Sequence, residues 1–187
     1  MARIPYPDEA SLSSNVRAIL DQMPRKVGVT SMIAHSPALA VSCMQTVKDQ
    51  FTALALPDRD REVVILTVAT LTACEYEWIQ HVELSEAVGL SPTARESIRS
   101  KDFGAATLTA RDRLIITFVS EIVDKPRADD EVFAEVREVF TPREIVELIR
   151  VAGFYWSLAR FLTVLDVDID EPDGLASITA ASRLDIP

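Results

Sequence analysis

The sequence predicts an all-α fold, and three observations carry the prediction. Ser36-Pro37, Ser91-Pro92 and Thr141-Pro142 each place an N-cap hydroxyl before a proline suited to the first helical position. Thr141 is followed three residues later by Glu144, a capping-box spacing in which each side chain satisfies the other's orphan backbone donor. Gly89 closes a long periodic run and can take the left-handed conformation that ends a helix. In chain order the expected helices are 14–23, 37–54 (opened by Ser36-Pro37), 58–71, 74–88 (closed by Gly89), 92–100 (opened by Ser91-Pro92), 109–124, 129–139 and 142–165 (opened by Thr141-Pro142).

One element conflicts with local propensity. Val63 to Thr72 carries seven β-branched residues, which by themselves favour a strand. No neighbouring run pairs with it and no hairpin signal flanks it, so the reading stays helical.

A chain of 187 residues buries roughly two-thirds of the surface its unfolded form exposes, enough for a core without staples. A single domain over 1–187 is expected, with a core at about 37–166, an N-terminal arm and an acidic C-terminal tail. Leu56-x-x-Arg59-Asp60-Arg61 recurs as Leu108-x-x-Arg111-Asp112-Arg113, which suggests two related helical units. Their chemistry is not duplicated: Glu62 follows the first copy and Leu114 the second, so any site belongs to the first half.

The net charge of −10 argues against a nucleic-acid partner. No stretch approaches the ~20 uninterrupted apolar residues of a membrane span, and the first residues do not read as a signal sequence. A cytoplasmic protein is the expectation. Cys43 and Cys74 have no paired-thiol or zinc spacing, and a structural disulfide between them is not expected in a reducing compartment.

Chemistry concentrates between Arg61 and His81. Cys74, Glu77 and His81 fall at i, i+3 and i+7, on one face of a helix. A break at Thr72-Ala73 would fold helix 58–71 back on 74–88. Glu62 and His81 would then stand about 15 Å and 12 Å from the bend at 1.5 Å per residue, nearly level with each other. A carboxylate beside an imidazole favours the protonated ring and fixes its tautomer, the arrangement general acid–base chemistry uses.

Glu62, eleven residues, Cys74, two residues, Glu77, three residues and His81 resembles the active-site signature of the alkylhydroperoxidase D-like superfamily. In the peroxidase branch the place of Glu77 is a second cysteine, the resolving member of a redox dithiol. A glutamate four residues before the histidine and followed by an aromatic residue, here Trp78, is instead similar to the carboxymuconolactone decarboxylase branch, which acts on carboxylate-bearing lactones without a cofactor. The resemblance runs from about Leu39 to Asp166 and includes Gly153-Phe154-Tyr155. It implies an alkylhydroperoxidase D-like helical bundle, weighs in favour of the helix at 58–71, and implies a homo-oligomer (dimer, trimer or hexamer) with a pocket near a subunit interface.

The candidate catalytic residues are therefore His81 as general acid or base, Glu62 to tune it, Glu77 as a second proton carrier, and Cys74, whose alternative role is that of a small buried hydrophobe. Trp78, Tyr155 and His35 are candidate substrate-binding groups, although a packing role suits Trp78, and for His35 the structural reading is preferred. Glu62, Glu77 and His81 could in principle hold a divalent metal, but a single histidine makes a poor ligand set, and neither metal nor cofactor is expected. Asp166-Val167-Asp168-Ile169-Asp170 lacks the glycine and the terminal glutamate of a calcium loop and reads as a solvated tail. The expected function is a cofactor-independent lyase, decarboxylase or isomerase acting on a small carbonyl- or carboxylate-bearing substrate. The alternatives are a thiol-dependent hydroperoxidase using Cys74 and a non-catalytic scaffold of the same fold.

Overall fold

A computed structural model describes residues 1–172 and 174–186. Ten α-helices are found, preceded by a 3-10 turn at Glu9–Ser11: α1 Ser14–Leu20, α2 Gly28–Ile33, α3 Pro37–Thr52, α4 Asp58–Leu71, α5 Glu75–Ala87, α6 Pro92–Arg99, α7 Ala110–Asp124, α8 Asp130–Val139, α9 Pro142–Leu165 and α10 Gly174–Ala181. There is no strand among the described residues, so the expected fold class is the observed one. The chain falls into two compact units. One is Met1–Ala53 with Leu162–Pro187, the other Leu54–Phe161.

The second unit is built around α4. Residues Asp60 to Thr70 are all buried, with α5, α6 and α7 packed against the helix. That all-round burial explains why strand propensity lost. A β-branched residue costs a helix at most ~0.7 kcal/mol, whereas fully burying a Val or Ile side chain is worth ~1.5–3 kcal/mol. The threonines add backbone bonds of their own: Thr67 and Thr72 donate to the carbonyls of Val63 and Val68, each at 2.7 Å.

The repeat detected in the sequence has a structural counterpart in α4 and α7. Arg59 grips Asp112 with two guanidinium nitrogens, and Arg111 Nε reaches Asp60 Oδ2 at 2.7 Å, so each copy lends its arginine to the other's aspartate. Burial alone would raise the Asp112 pKa. Hydrogen bonds from Arg59 and Thr109 outweigh it and hold the carboxyl below its ordinary value. Asp112 also completes a capping box with Thr109 at the start of α7, which sequence inspection had passed over.

The capping signals held with one exception. Ser91 accepts from Ala94 N, Thr141 and Glu144 bond reciprocally, and Gly89 sits at φ +84°. Ser36 opens α3 by position alone, since its side chain makes no cap hydrogen bond.

The first unit corrects the reading of the ends. Instead of a solvated tail, Ala181 and Leu184 are buried against Ile19, Met23 and Met44, and α10 packs on α3. The acidic run is put to use. Asp168 takes the N-terminal amine at 3.0 Å and the Tyr6 hydroxyl at 3.2 Å, and Asp170 accepts from Gly28 N at 2.7 Å. Gly28 is needed there, because a Cβ would lie 3.0 Å from Val167 and 3.1 Å from the Asp168 carbonyl. Both helices that went unforeseen, α2 and α10, are short, and α2 begins at Val27 without a side-chain cap.

Candidate active site

The site hangs on the turn between α4 and α5. Leu71 ends the first helix and Ala73 turns the chain at φ +53°, an uncommon conformation for a residue with a Cβ. Cys74 then stands at the N-cap of α5. The returning helix lays His81 beside Glu62, whose Oε2 accepts from His81 Nδ1 at 2.8 Å. The heights counted from the bend therefore correspond to a direct contact. Glu62 is 0% exposed and His81 6%, which makes this a buried carboxylate–imidazole pair.

Arg61 extends the pair towards the surface. Its Nε lies 3.3 Å from Glu62 Oε1 and its Nη1 donates to Asp58 Oδ1 at 2.6 Å, while Asp58 is largely exposed. Arg61 is itself buried. A line of alternating charge thus runs from solvent through Asp58, Arg61 and Glu62 to His81. Sequence reasoning saw Arg61 only as part of a repeat. The available signal was its position directly before Glu62, where a guanidinium can help hold the carboxylate's charge inside the protein.

From α9, Tyr155 presents its ring edge-on to the imidazole, with centroids 5.1 Å apart and planes at 88°. Its own other side is packed by Phe154 at 5.3 Å. The second-half tyrosine singled out in the sequence does reach the histidine.

Glu77 and Cys74 share the buried face of α5 with His81. Glu75 and Glu83 on the same helix are exposed, but Glu77 is 2% exposed and neither of its carboxyl oxygens has a hydrogen-bond partner in the protein. Burial pushes its pKa well above the usual carboxylate value, which favours the protonated carboxyl. The Cys74 thiol is pushed up to about 12, chiefly by burial and secondarily by Glu77. The Cys43 thiol is raised to about 11 by burial. Neither offers a thiolate near neutral pH. Cys74 is accordingly expected to react with Ellman's reagent at pH 7 only on the timescale of unfolding. Rapid, stoichiometric labelling that Cys74→Ser removes would show an open, activated thiol instead.

Two candidates are engaged elsewhere. Trp78 is half-buried against the core of the second unit, with the Arg99 guanidinium 4.7 Å above its ring. His35 belongs to the first unit, where it is exposed and its Nε2 donates to the Pro5 carbonyl at 2.8 Å.

Comparison with known proteins gives this geometry a context. The family model described as the Carboxymuconolactone decarboxylase family matches residues 37–98, the stretch that contains Glu62, Cys74, Glu77 and His81. Solved structures extend the likeness to nearly the whole chain. The alkylhydroperoxidase AhpD core of an uncharacterized peroxidase-related protein from Ralstonia eutropha JMP134 has a TM-score of 0.75 at 18% identity, covering 90% of this chain and 92% of that one. A peroxidase-related protein from Silicibacter sp. TM1040 has a TM-score of 0.72 at 18% identity, with coverage of 89% and 87%. The debrominase Bmp8, solved with 2,3,4-tribromopyrrole, has a TM-score of 0.68 at 12% identity, covering 96% and 97%. At these identities the likeness is one of fold. No curated protein sequence matches the chain. Within the segment that matches this family model, Glu62, Cys74, Glu77 and His81 are all buried in one helical hairpin.

Proposed function

We propose that the protein is a cofactor-independent enzyme that moves protons on a small carbonyl- or carboxylate-bearing molecule, in a decarboxylation or isomerisation. The observation that carries this reading is the buried Glu62–His81 pair at 2.8 Å with a buried carboxyl, Glu77, one turn away on α5. The Glu62 carboxylate favours the tautomer with the proton on Nδ1, which makes Nε2 the basic nitrogen. One site then offers an imidazole, His81, and a buried carboxyl, Glu77, as its two proton-carrying groups.

The step balances without an external reductant. In a decarboxylation the C–C bond to the leaving carboxylate breaks, CO2 departs, and the electron pair moves to the neighbouring carbonyl as an enolate. In this reading the Glu77 hydroxyl hydrogen-bonds that developing oxyanion, and carbon is protonated by His81 acting as an imidazolium, which takes its Nε2 proton from solvent before each turnover. In an isomerisation His81 removes the proton that it later returns.

A hydroperoxidase is the second reading, favoured by the peroxidase-related proteins that share the fold. The buried, protonated Cys74 thiol and the glutamate at the resolving position both weigh against it.

The two readings separate in one assay. Protein in D2O is incubated with a panel of carboxylated lactones and β-keto acids, and NMR follows deuterium entering the carbon next to the carbonyl and loss of the carboxylate. Catalysed exchange or decarboxylation of a panel member is expected, with hydroperoxide consumption in dithiothreitol at the uncatalysed rate. Rapid peroxide turnover that Cys74→Ser abolishes, with no exchange on any panel member, would reverse the order of the two readings.

A further inference from the structure

Two copies of one motif end differently. Leu56-x-x-Arg59-Asp60-Arg61 leads into α4, and Leu108-x-x-Arg111-Asp112-Arg113 leads into α7. The first arginine and the aspartate play the same part in both copies, bracing α4 against α7. The last arginine does not. Arg113 donates to the backbone carbonyls of Ala105 and Leu108, which ties down the turn before α7. Arg61 reaches two carboxylates instead, Glu62 and Asp58. The fold accounts for Arg113, but it does not by itself call for Arg61.

Arg61 also stands where a charge is expensive. Its side chain is 4% exposed, and an apolar side chain of similar size would fill the space without taking a guanidinium out of water. Arg61 and Glu62 are neighbours on a helix, about 100° apart around its axis, and such neighbours do not ordinarily face each other. Their contact, Nε to Oε1 at 3.3 Å, needs both side chains to curl to one side. Asp58, one turn back and largely exposed, accepts from Nη1 at 2.6 Å and anchors the guanidinium from the solvent side.

The two oxygens of Glu62 are thus divided, Oε1 to Arg61 and Oε2 to His81 Nδ1 at 2.8 Å. The last torsion of a glutamate is broad, so a carboxylate held at one oxygen can swing. Held at both, it has a fixed plane, and the imidazole that donates to it has a fixed direction and tautomer. We propose that Arg61 is a positioning residue: by holding Oε1 it keeps Oε2 on Nδ1, so that the lone pair of His81 stays on Nε2. Its effect on rate rests on the proposed function, whereas its effect on the imidazole does not.

Nitrogen NMR of the ring tests this without a substrate. Protein carrying nitrogen-15 histidine gives two ring patterns, one for each histidine, and His35→Gln identifies the pattern of His81. In wild type the neutral ring is expected to carry its proton on Nδ1. Arg61→Met should mix the two tautomers, and Arg61→Lys, which keeps a cation without the planar fork, should fall between. Arg113→Met removes the matching arginine of the second copy and should leave the ring as in wild type. Asp58→Asn, at an exposed side chain, should shift the pattern the same way by less, and it serves as the check if Arg61→Met folds poorly. On a responsive substrate Arg61→Met should lower kcat about ten- to a hundredfold with KM within about twofold. A folded Arg61→Met protein that keeps the wild-type tautomer would overturn the inference, whatever its stability, because a merely structural arginine would behave that way. So would an equal disturbance from Arg113→Met. If the tautomer responds as expected and no panel member is turned over, the inference stands and only the proposed reaction fails.

Discussion

Replacing His81 with alanine should lower turnover on a responsive substrate by ~10²–10⁴-fold, the range over which positioned acid–base groups contribute. The loss should fall mainly on kcat, because under the proposed function the imidazole exchanges a proton in the transition state. Removing the ring also leaves Glu62 buried without its partner and takes away a packing surface from Tyr155, so a drop in stability would accompany it. Chemical rescue tells the two effects apart. Added imidazole can enter the vacated space and carry the proton, which restores rate without restoring the covalent link. Glu62→Gln keeps the shape and an accepting oxygen but drops the negative charge, and a loss of about 10²-fold is expected. Full activity in Glu62→Gln, or a His81→Ala variant whose losses match its unfolded fraction and resist imidazole, would remove the mechanism.

Glu77→Leu should make the protein more stable, by an amount that grows with pH. Two buried, unpartnered oxygens cost ~1–3 kcal/mol, and leucine of similar volume removes that cost. The pH dependence follows from linkage. The folded-state pKa lies well above the ordinary glutamate value of about 4.5, so folded protein holds this proton more tightly than unfolded chain does. The group's contribution is fully present below about pH 4.5 and is lost as pH climbs to the raised value, at ~1.4 kcal/mol per pH unit. Urea titrations of wild type and Glu77→Leu at pH 4, 5, 6 and 7 should therefore diverge steadily above pH 4.5. A gap that stays constant would mean that Glu77 ionises alike in both states, and its role as a neutral acid would fail. Under the proposed function the stabilised variant should also be the slower enzyme, the usual exchange at a site kept polar for chemistry.

The sequence spoke most clearly where local and global signals agreed. Pro-led helix starts at 37, 92 and 142 placed α3, α6 and α9, and the Gly89 stop placed the end of α5. Helix α4 was the exception, since its β-branched run reads as a strand and only its central position, buried on every side, makes it helical. Family resemblance supplied what propensity withheld. The terminal segments were misread because their helices are short and their carboxylates, which look solvated in one dimension, bind backbone and hydroxyl groups more than 140 residues away. At the site, helical spacing was enough to bring Glu62 to His81. It could not show that Arg61 lies buried beside Glu62 or that Glu77 lacks a partner, because both depend on what the surrounding helices exclude.

Glu62, Glu77 and His81 expose 0%, 2% and 6% of their surfaces, which has a consequence for rates. Under the proposed function a substrate reaches them only in a transiently opened form of the protein. If that form is a fraction f of the molecules, apparent affinity is weakened by 1/f, so a 1% open population costs about a hundredfold. Substrate, product and effectors would all act through the same gating equilibrium. Mutations that loosen the α4–α5 turn could then tighten apparent binding without touching a single reacting group.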